Sequence, residues 1–236
     1  MTRLYLNQPL TEKAEIVLSQ EQNHYISTVL RYQKGQTLKV FNEVDGEWVA
    51  EVFSLGKKQT VLRVDTCLLE PRQTPILWLG FAPLKQDATN FLLEKATELG
   101  VTHLQPLWME RSNTQRLNLD RWQKIVTEAS QQCERHDIPH IMAEKKLSDF
   151  LEDLPSSISW FVPLERQDAP FFLEIVKNNP ARPYGFIIGP EGGFSYVEKE
   201  KFKKSTLIHS ITLGPRILRA ETAALTVLAM AQTMLS

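Results

Sequence analysis

Cysteine is scarce in this chain: Cys67 and Cys133 are its only cysteines, and they form no Cys-x-x-Cys pair. Two isolated thiols argue against a disulfide framework or a zinc site and are typical of free cysteines in a reducing compartment. No apolar run approaches the roughly 18 residues that a membrane-spanning helix needs. Residues 1–6 do not begin a signal peptide, so the sequence predicts a cytoplasmic protein.

Excess charge of either sign is also absent. The 27 basic and 28 acidic side chains leave a formal net charge of −1, which excludes a basic nucleic-acid coat protein. Any RNA partner must therefore be bound by a local patch. One basic cluster, formed by Lys57, Lys58 and Arg63, is typical of a solvated face.

The motifs of several enzyme classes are missing. The glycine-rich stretch near residue 190 lacks the lysine of a P-loop, and no Gly-x-Gly-x-x-Gly follows the first strand of the C-terminal part. The chain has no His-Glu-x-x-His and no Cys/His cluster for a metal. It also has no Gly-x-Ser-x-Gly elbow of a serine hydrolase.

Short extended segments and turns dominate the first seventy-odd residues. Ser19 and Gln22 form a capping box that predicts a helix through Leu30, stopped by Gly35. Asp45-Gly46 predicts a hairpin turn. Strands are expected at 38–41, 47–53 and 60–64, after short extended segments that contain Leu4, Leu6, Ile16 and Leu18. Short strands with one helix predict a small barrel.

The pattern of predicted elements changes after residues 71–75, which are the best candidate for a linker between domains. Strands and helices then alternate, which predicts an α/β fold with a mostly parallel sheet covered on both faces. Strands are expected at 76–81, 101–107, 158–162, 184–188 and 207–213. Helices are expected from an Asp87 cap to Gly100, at 120–133, around 172–176, after a capping box at Ser195 and Glu198, and in the Ala-rich stretch to Leu235.

Two of these strands run directly into turns that contain glycine and proline. The first turn is Gly189-Pro190-Glu191-Gly192-Gly193, and the second begins Leu213-Gly214-Pro215-Arg216. Glycine lets a ligand approach the main chain closely, and proline fixes the shape of the turn. Because open α/β folds bind ligands at the carboxyl ends of their strands, the two loops predict a site for a small molecule.

The same two loops resemble the signature of a known family. Residues 188–193, followed by the run Leu-Gly-Pro-Arg-Ile-Leu-Arg-Ala-Glu-Thr-Ala-Ala at 213–224, are similar to the RsmE family of ribosomal RNA methyltransferases in the SPOUT superfamily. Supporting matches run along the whole chain. They are His24 with Val29, Leu30 and Arg31, the segment 94–101, Glu110-Arg111-Ser112, and Glu128-Ala129 with Gln132, Arg135 and Pro139.

The resemblance implies a two-domain fold. It implies a PUA-like RNA-binding β-barrel domain over residues 1–72, and a SPOUT methyltransferase domain with a C-terminal trefoil knot over 73–236. True knots are so rare that physical reasoning alone would not propose one. It further implies a homodimer with S-adenosylmethionine held in the knot. Because the methyl group on a sulfonium is already activated, no metal is expected, and the lack of a long apolar run predicts no membrane partner. The implied reaction is methylation of N3 of one uridine in 16S rRNA, in the assembled 30S subunit.

Site residues follow from the same resemblance. The implied cofactor-binding residues are Leu164, Ile188, Gly189, Pro190, Glu191, Gly192, Gly193, Leu213, Gly214, Ile217 and Leu218. Leu164 is included because the end of the strand at 158–162 is expected to form a third loop. RNA contacts are implied for Arg3, His24, Arg31, Lys85 and Arg111. Around Lys85 the chain departs from the family pattern, with Gln86, Ala88 and Asn90 at the neighbouring places.

The chemistry of uracil methylation predicts catalytic roles for three residues of the second loop and the helix after it. Uracil N3 carries a proton and is paired in a helix, so the base must be exposed and deprotonated, and its charge must be stabilised. A guanidinium near the uracil oxygens supplies that stabilisation, which is the role expected for Arg219 or Arg216. Glu221 is expected to orient this arginine or to accept the proton. A simpler interpretation is that Glu221 lies in the first turn of the last helix, where the dipole favours an acid.

Two other functions fit the same motifs. One is a SPOUT methyltransferase that acts on another RNA or on a ribose 2′-hydroxyl. The other is a non-catalytic RNA-binding ribosome assembly factor that keeps the fold. The intact glycines and both arginines argue against a factor without catalysis, which has no need of them. Binding of S-adenosylmethionine separates the assembly factor from the enzymes, and the identity of the modified base separates the enzymes from one another.

Overall fold

The computed structural model of the protein describes residues 1–56, 59–113, 116–165, 168–177 and 183–235. Lys57 and Lys58 of the basic cluster lie outside the described residues. The chain divides into two compact units, each with its own hydrophobic core. The first unit combines residues 1–73 with the segment 130–137, and the second combines residues 74–129 with the chain from 138 onward.

The first unit contains a five-stranded sheet in the order β1-β3-β4-β5-β2. Its strands are β1 (Arg3–Tyr5), β2 (Glu15–Val17), β3 (Thr37–Asn42), β4 (Gly46–Leu55) and β5 (Thr60–Leu69). β1 pairs with β3 in parallel, and the other neighbours are antiparallel. Register shifts along the β4–β5 pair bend these two long strands. The β-rich unit predicted from the sequence is confirmed.

The helix of the first unit differs from the prediction in its second half. α1 spans Gln20–His24, and the chain continues as a π-helical turn, Tyr25–Val29. The capping box is confirmed, because Gln22 N donates to Ser19 Oγ at 3.2 Å and Ser19 N donates to Gln22 Oε1 at 3.0 Å. Arg31 then takes a left-handed φ of 54°, which turns the chain out of the helix.

A buried cluster of charged side chains connects the sheet of the first unit to its segment 130–137. The guanidinium of Arg3 donates to the carboxylate of Glu47, and Lys39 Nζ lies 2.8 Å from the other carboxylate oxygen. Arg3 Nη1 also donates to the carbonyls of Ser130, at 3.2 Å, and Arg135, at 3.1 Å. The structure thus corrects the RNA-binding role predicted for Arg3: the residue is 5% exposed and its donors are used inside the protein.

The second unit is built on a parallel sheet in the order β12-β10-β11-β6-β7-β8, with β9 also paired to β7. Its strands are β6 (Leu77–Phe81), β7 (His103–Trp108), β8 (His140–Ile141), β9 (Lys145–Lys146), β10 (Ser159–Pro163), β11 (Tyr184–Ile188) and β12 (Ile208–Ile211). All of these pairings are parallel, which confirms the predicted sheet type. β8 and β9 contain two residues each, and the sequence does not predict them.

Helices cover both faces of this sheet. They are α2 (Gln86–Glu98), α3 (Leu119–Gln132), α4 (Leu147–Glu152), α5 (Phe172–Val176), α6 (Tyr196–Lys204) and α7 (Ala220–Leu235). Successive side chains of a strand point to opposite faces: Phe186 and Ile188 pack with α2, α5 and α7, whereas Ile187 packs with α4 and α6. Within the described part of the chain, no helix combines the length and the apolar character needed to cross a membrane.

At α2, the predicted C-terminal stop is confirmed and the predicted N-terminal cap is not. Gly100, with φ of 80°, ends the helix as predicted, and Val101 N donates back to Ala96 O at 3.0 Å. The predicted Asp87 cap is wrong, because Lys85 occupies the N-cap position without a side-chain hydrogen bond. Asp87 lies instead in the first turn, where the helix dipole favours a carboxylate.

The buried cluster makes the stability of the first unit depend on pH. Burial opposes ionisation of Glu47, but the hydrogen bonds from Lys39 and Arg3 outweigh it, so its pKa lies below the ordinary value of 4.5. The ion pair therefore stabilises the fold above about pH 4.5 and is lost as the pH falls through the folded pKa. We expect Glu47→Gln to lower the unfolding free energy at neutral pH by about 3 kcal/mol, because Arg3 is left buried and unpaired.

Denaturant titrations of the two proteins from about pH 7 to about pH 3 check this expectation. The difference between them should shrink as the wild-type carboxylate becomes protonated. Glu51→Gln is the control, because Glu51 pairs with Arg63 on the surface at 3.0 Å. A Glu47→Gln difference that stays constant throughout this range contradicts the assignment.

Candidate functional site

A cleft of about 650 Å³ lies in the second unit, at the carboxyl ends of the neighbouring strands β12, β10 and β11. This volume is within the range of small-molecule sites, about 300–1,000 Å³. The predicted site residues that line it are Lys85, Leu164, Ile188, Gly189, Pro190, Glu191, Gly193, Leu213, Gly214, Arg216, Ile217, Leu218, Arg219 and Glu221. The structure therefore brings both predicted loops and the third loop together, while their individual roles stay predictions.

Main-chain hydrogen bonds hold the strand ends in line. Leu164 N, just after β10, donates to Ile211 O at the end of β12, at 3.0 Å. Ala82 N, just after β6, donates to Ile188 O at the end of β11, at 3.1 Å. Each loop therefore leaves the sheet from a fixed position, and the main chain sets the outline of the cleft.

The first loop, residues 189–193, is a tight turn. Gly193 N donates to Pro190 O at 2.8 Å, and Gly193 has a left-handed φ of 67°. A Cβ at Gly189 would stand 3.1 Å from the ring of Phe194. Phe194 is itself anchored edge-to-face on Phe202 of α6, with ring centroids 4.9 Å apart. The absence of a side chain at Gly189 therefore lets the loop pack closely against the ring of Phe194.

The second loop, residues 213–219, joins β12 to α7. Gly214 has a φ of 96°, and its N–H donates to Thr212 Oγ1 at 3.2 Å. Apart from its two chain neighbours, none of the described residues has an atom within 4 Å of the place where its Cβ would stand, so the backbone conformation, rather than lack of space, favours glycine there. Ala223 N donates to Arg219 O at 2.8 Å, which starts α7 and places Glu221 in its first turn.

The cleft carries charges of both signs. Its cations are Lys85, Lys199, Arg216 and Arg219, and its carboxylates are Glu165, Glu191 and Glu221. Such a lining suits a ligand with separated positive and negative groups, and the exposed guanidiniums of Arg216 and Arg219 are accessible to a second, anionic ligand. The described residues contain no group of three or more His, Cys, Asp or Glu arranged to hold a metal ion.

Some lining residues were not predicted from the sequence. They are Ala88, Asn113, Pro163, Glu165, Phe194, Lys199, Ala220 and Ala223. Pro163 and Glu165 flank Leu164, and Phe194 follows Gly193, so their places next to predicted loops were the available signal. Lys199 had no such signal, because its position depends on how α6 packs against the sheet.

The remaining predicted residues lie outside the cleft. Gly192 does not line it, but its carbonyl accepts a hydrogen bond from Arg111 Nη1 at 2.9 Å. Arg111 itself is exposed. His24 and Arg31 are exposed at the two ends of the π-helical turn in the first unit. The proposed RNA contacts of these three residues stay predictions.

Two family models match this chain. Residues 72–232 match a model described as RNA methyltransferase domain, and residues 18–65 match one described as RNA methyltransferase PUA domain. The first match contains every residue that lines the cleft. The predicted α/β domain and the preceding PUA-like domain are therefore confirmed, and the trefoil knot stays a prediction.

Full-length relatives are similar from end to end. Ribosomal RNA small subunit methyltransferase E of Rickettsia conorii is 33% identical over 228 residues, covering 96% of this chain and 93% of the relative. The protein of the same name in Buchnera aphidicola subsp. Acyrthosiphon pisum is 29% identical over 241 residues, covering 98% and 93%. The crystal structure of the Neisseria gonorrhoeae methyltransferase E bound to S-adenosyl methionine matches with a TM-score of 0.90 and 27% identity, over 99% and 98% of the two chains.

Proposed function

We propose a function from one premise: this chain belongs to the ribosomal RNA small subunit methyltransferase E family. It methylates 16S rRNA with S-adenosylmethionine as the methyl donor, at N3 of one uridine in the 30S subunit, in the cytoplasm. The observation that carries the proposal is the cleft, where the two glycine-proline loops and the pair Arg216 and Arg219 meet. A homodimer with a trefoil knot belongs to the same proposal.

The lining of the cleft fits S-adenosylmethionine. Leu164, Ile188, Leu213 and Leu218 offer an apolar place for the adenine ring, next to exposed main-chain groups of the loops. The carboxylates of the cleft suit the cationic groups and the ribose hydroxyls of the cofactor, and among its cations Lys199 suits the cofactor's carboxylate. When bound, the cofactor supplies a methyl group that is already activated on a sulfonium.

The arginines of the second loop act on the uracil. Removal of the N3 proton leaves negative charge on the two flanking carbonyl oxygens of the base. A guanidinium that donates to these oxygens stabilises the charge as it develops, and Arg219, fixed at the start of α7, is the first candidate. Arg216 lies in the same loop and is exposed in the same cleft. Glu221 orients the guanidinium or accepts the proton.

RNA binding uses exposed polar and basic side chains outside the cofactor loops. His24 and Arg31 flank the π-helical turn of the first unit, and π turns occur frequently at functional sites. Lys85 lines the cleft and Arg111 lies beside the first loop. The net charge of −1 means that such local groups, rather than the overall field, must attract the phosphates.

Methylation of isolated 30S subunits and of free 16S rRNA tests the substrate directly. We expect the purified protein to transfer labelled methyl groups to 30S subunits, and mass mapping of the nuclease fragments to find one N3-methyluridine. A methylated ribose, or transfer to another RNA, supports the related methyltransferase instead. A protein that binds 30S subunits but neither binds the cofactor nor transfers methyl groups is the non-catalytic assembly factor.

Arg219→Ala tests the catalytic assignment. Because Arg219 is exposed, the variant should fold and should bind S-adenosylhomocysteine as the wild type does. Its single-turnover rate on 30S subunits should fall about 100-fold or more, the usual effect of removing a group that stabilises charge in a transition state. Arg121→Ala, on an exposed position of α3, is the control. Wild-type rates in Arg219→Ala refute the role.

Gly193→Ala tests whether the first loop holds the cofactor. The left-handed φ of 67° strains any L side chain, and the new Cβ would lie 3.2 Å from Glu165 Oε1. We expect affinity for S-adenosylhomocysteine to fall about tenfold, as a strain of 1–2 kcal/mol implies. The control is Gly35→Ala, which is also left-handed, with φ of 86°, but lies in the first unit. Equal affinities of Gly193→Ala and the wild type, by calorimetry, contradict the assignment.

A further inference from the structure

The chain makes a closed turn immediately after β7. Met109 N donates to Ser112 Oγ at 3.1 Å, and Ser112 N donates back to Met109 O at 3.0 Å. The side chain and the main chain of Ser112 thus close the turn together. Glu110 and Arg111 form its tip, so the position of the Arg111 side chain depends on how this turn is held.

A buried carboxylate holds the turn from outside. Glu198 of α6 is 5% exposed, and its Oε1 accepts a hydrogen bond from Glu110 N at 2.9 Å. Its Oε2 accepts from Ser195 N at 2.7 Å, within the capping box of α6. The Glu198 side chain therefore joins the start of its own helix to a main-chain group 88 residues away from it in sequence. Capping alone would use only the bond to Ser195.

The tip of the turn touches the first cofactor loop. Arg111 Nη1 donates to Gly192 O at 2.9 Å. A Cβ at Gly192 would stand 3.3 Å from Cβ of Arg111 and 3.6 Å from its Cδ, so the arginine stem lies flat against the loop. Gly192 itself does not line the cleft, so this contact supports the loop at a residue that is not part of the cleft wall.

We infer that Glu198 and Arg111 are positioning residues for the cofactor: Glu198 fixes the turn through Glu110 N, and the turn places the Arg111 guanidinium on the carbonyl of Gly192. The inference rests on the proposed function, and it assigns Arg111 a role that does not require RNA. Neither side chain touches the reacting atoms. Both act by keeping residues 189–193 in the conformation that accepts the cofactor, which lowers the conformational cost of binding.

Calorimetry with S-adenosylhomocysteine, in the absence of RNA, tests the inference on the full chain. In Glu198→Gln the shape is kept, but one acceptor oxygen becomes an NH₂ group that faces an N–H donor, which leaves that donor unsatisfied. We expect Kd to rise about tenfold in Glu198→Gln, which loses a buried hydrogen-bond partner, and in Arg111→Ala, which loses the charge-assisted bond to Gly192 O. The matched control is Glu200→Gln, on the same helix, where Glu200 pairs with Lys203 at 2.9 Å.

Coupling between the two residues separates positioning from simple stabilisation. If both act through the same turn, their effects should not add. The Kd of the double variant Glu198→Gln/Arg111→Ala should then lie within about twofold of the larger of the two single-variant Kd values. Arg111→Lys should recover part of the affinity, because an ammonium can still donate one hydrogen bond to Gly192 O. A general loss of stability would neither saturate in this way nor be rescued by lysine.

The outcomes distinguish this inference from the proposed function. A wild type that binds S-adenosylhomocysteine, with variants that bind it equally well, overturns the inference alone and leaves Arg111 as an RNA contact. A wild type that does not bind S-adenosylhomocysteine overturns the proposed function and the inference together. If Glu198→Gln does not fold, Arg111→Ala decides the question, since Arg111 is exposed and its removal leaves the core intact.

Discussion

The parallel register of β12, β10 and β11 is the constraint on which the rest of the structure depends. β10 pairs with both neighbours, with Pro163 opposite Ile211 and Phe161 opposite Phe186. Parallel strands end at the same edge of a sheet, so three loops that are far apart in sequence meet in one cleft. The outline of the cleft is therefore a property of the main chain, and side chains such as Arg219 only add charge at defined points.

Much of this arrangement could be predicted because its signals are local. The apolar run of β11 ends at a Gly-Pro pair, and its observed bounds, Tyr184–Ile188, are those expected from the sequence. The capping boxes at Ser19 and Ser195 formed as expected, since each requires only a residue and its neighbour three places on. The two loops that line the cleft were found for the same reason, and the family resemblance then supplied a chemistry that no local pattern contains.

The features that were missed depend on partners far away in sequence. β8 and β9 are too short to show a period, and α4 begins at Leu147 after Lys146, an N-cap residue that makes no side-chain hydrogen bond. An arginine at position 3 is expected at the surface from the sequence alone. In the structure Arg3 is buried and donates hydrogen bonds to Glu47 and to a main-chain carbonyl far away in sequence. The cleft position of Lys199 and the bond between Glu198 and Glu110 likewise arise only when α6 packs against the sheet. No window of sequence contains both members of such pairs.

The membership of residues 130–137 in the first unit has a consequence for biosynthesis. The main-chain carbonyls of Ser130 and Arg135 that accept hydrogen bonds from Arg3 are translated long after the five strands of that unit. Domains generally fold during translation from the N-terminus onward. The N-terminal sheet therefore cannot complete its contacts as soon as its own strands have been made. Residues 130–137 must first leave the ribosomal exit tunnel, and only then can the guanidinium of Arg3 form all of its hydrogen bonds.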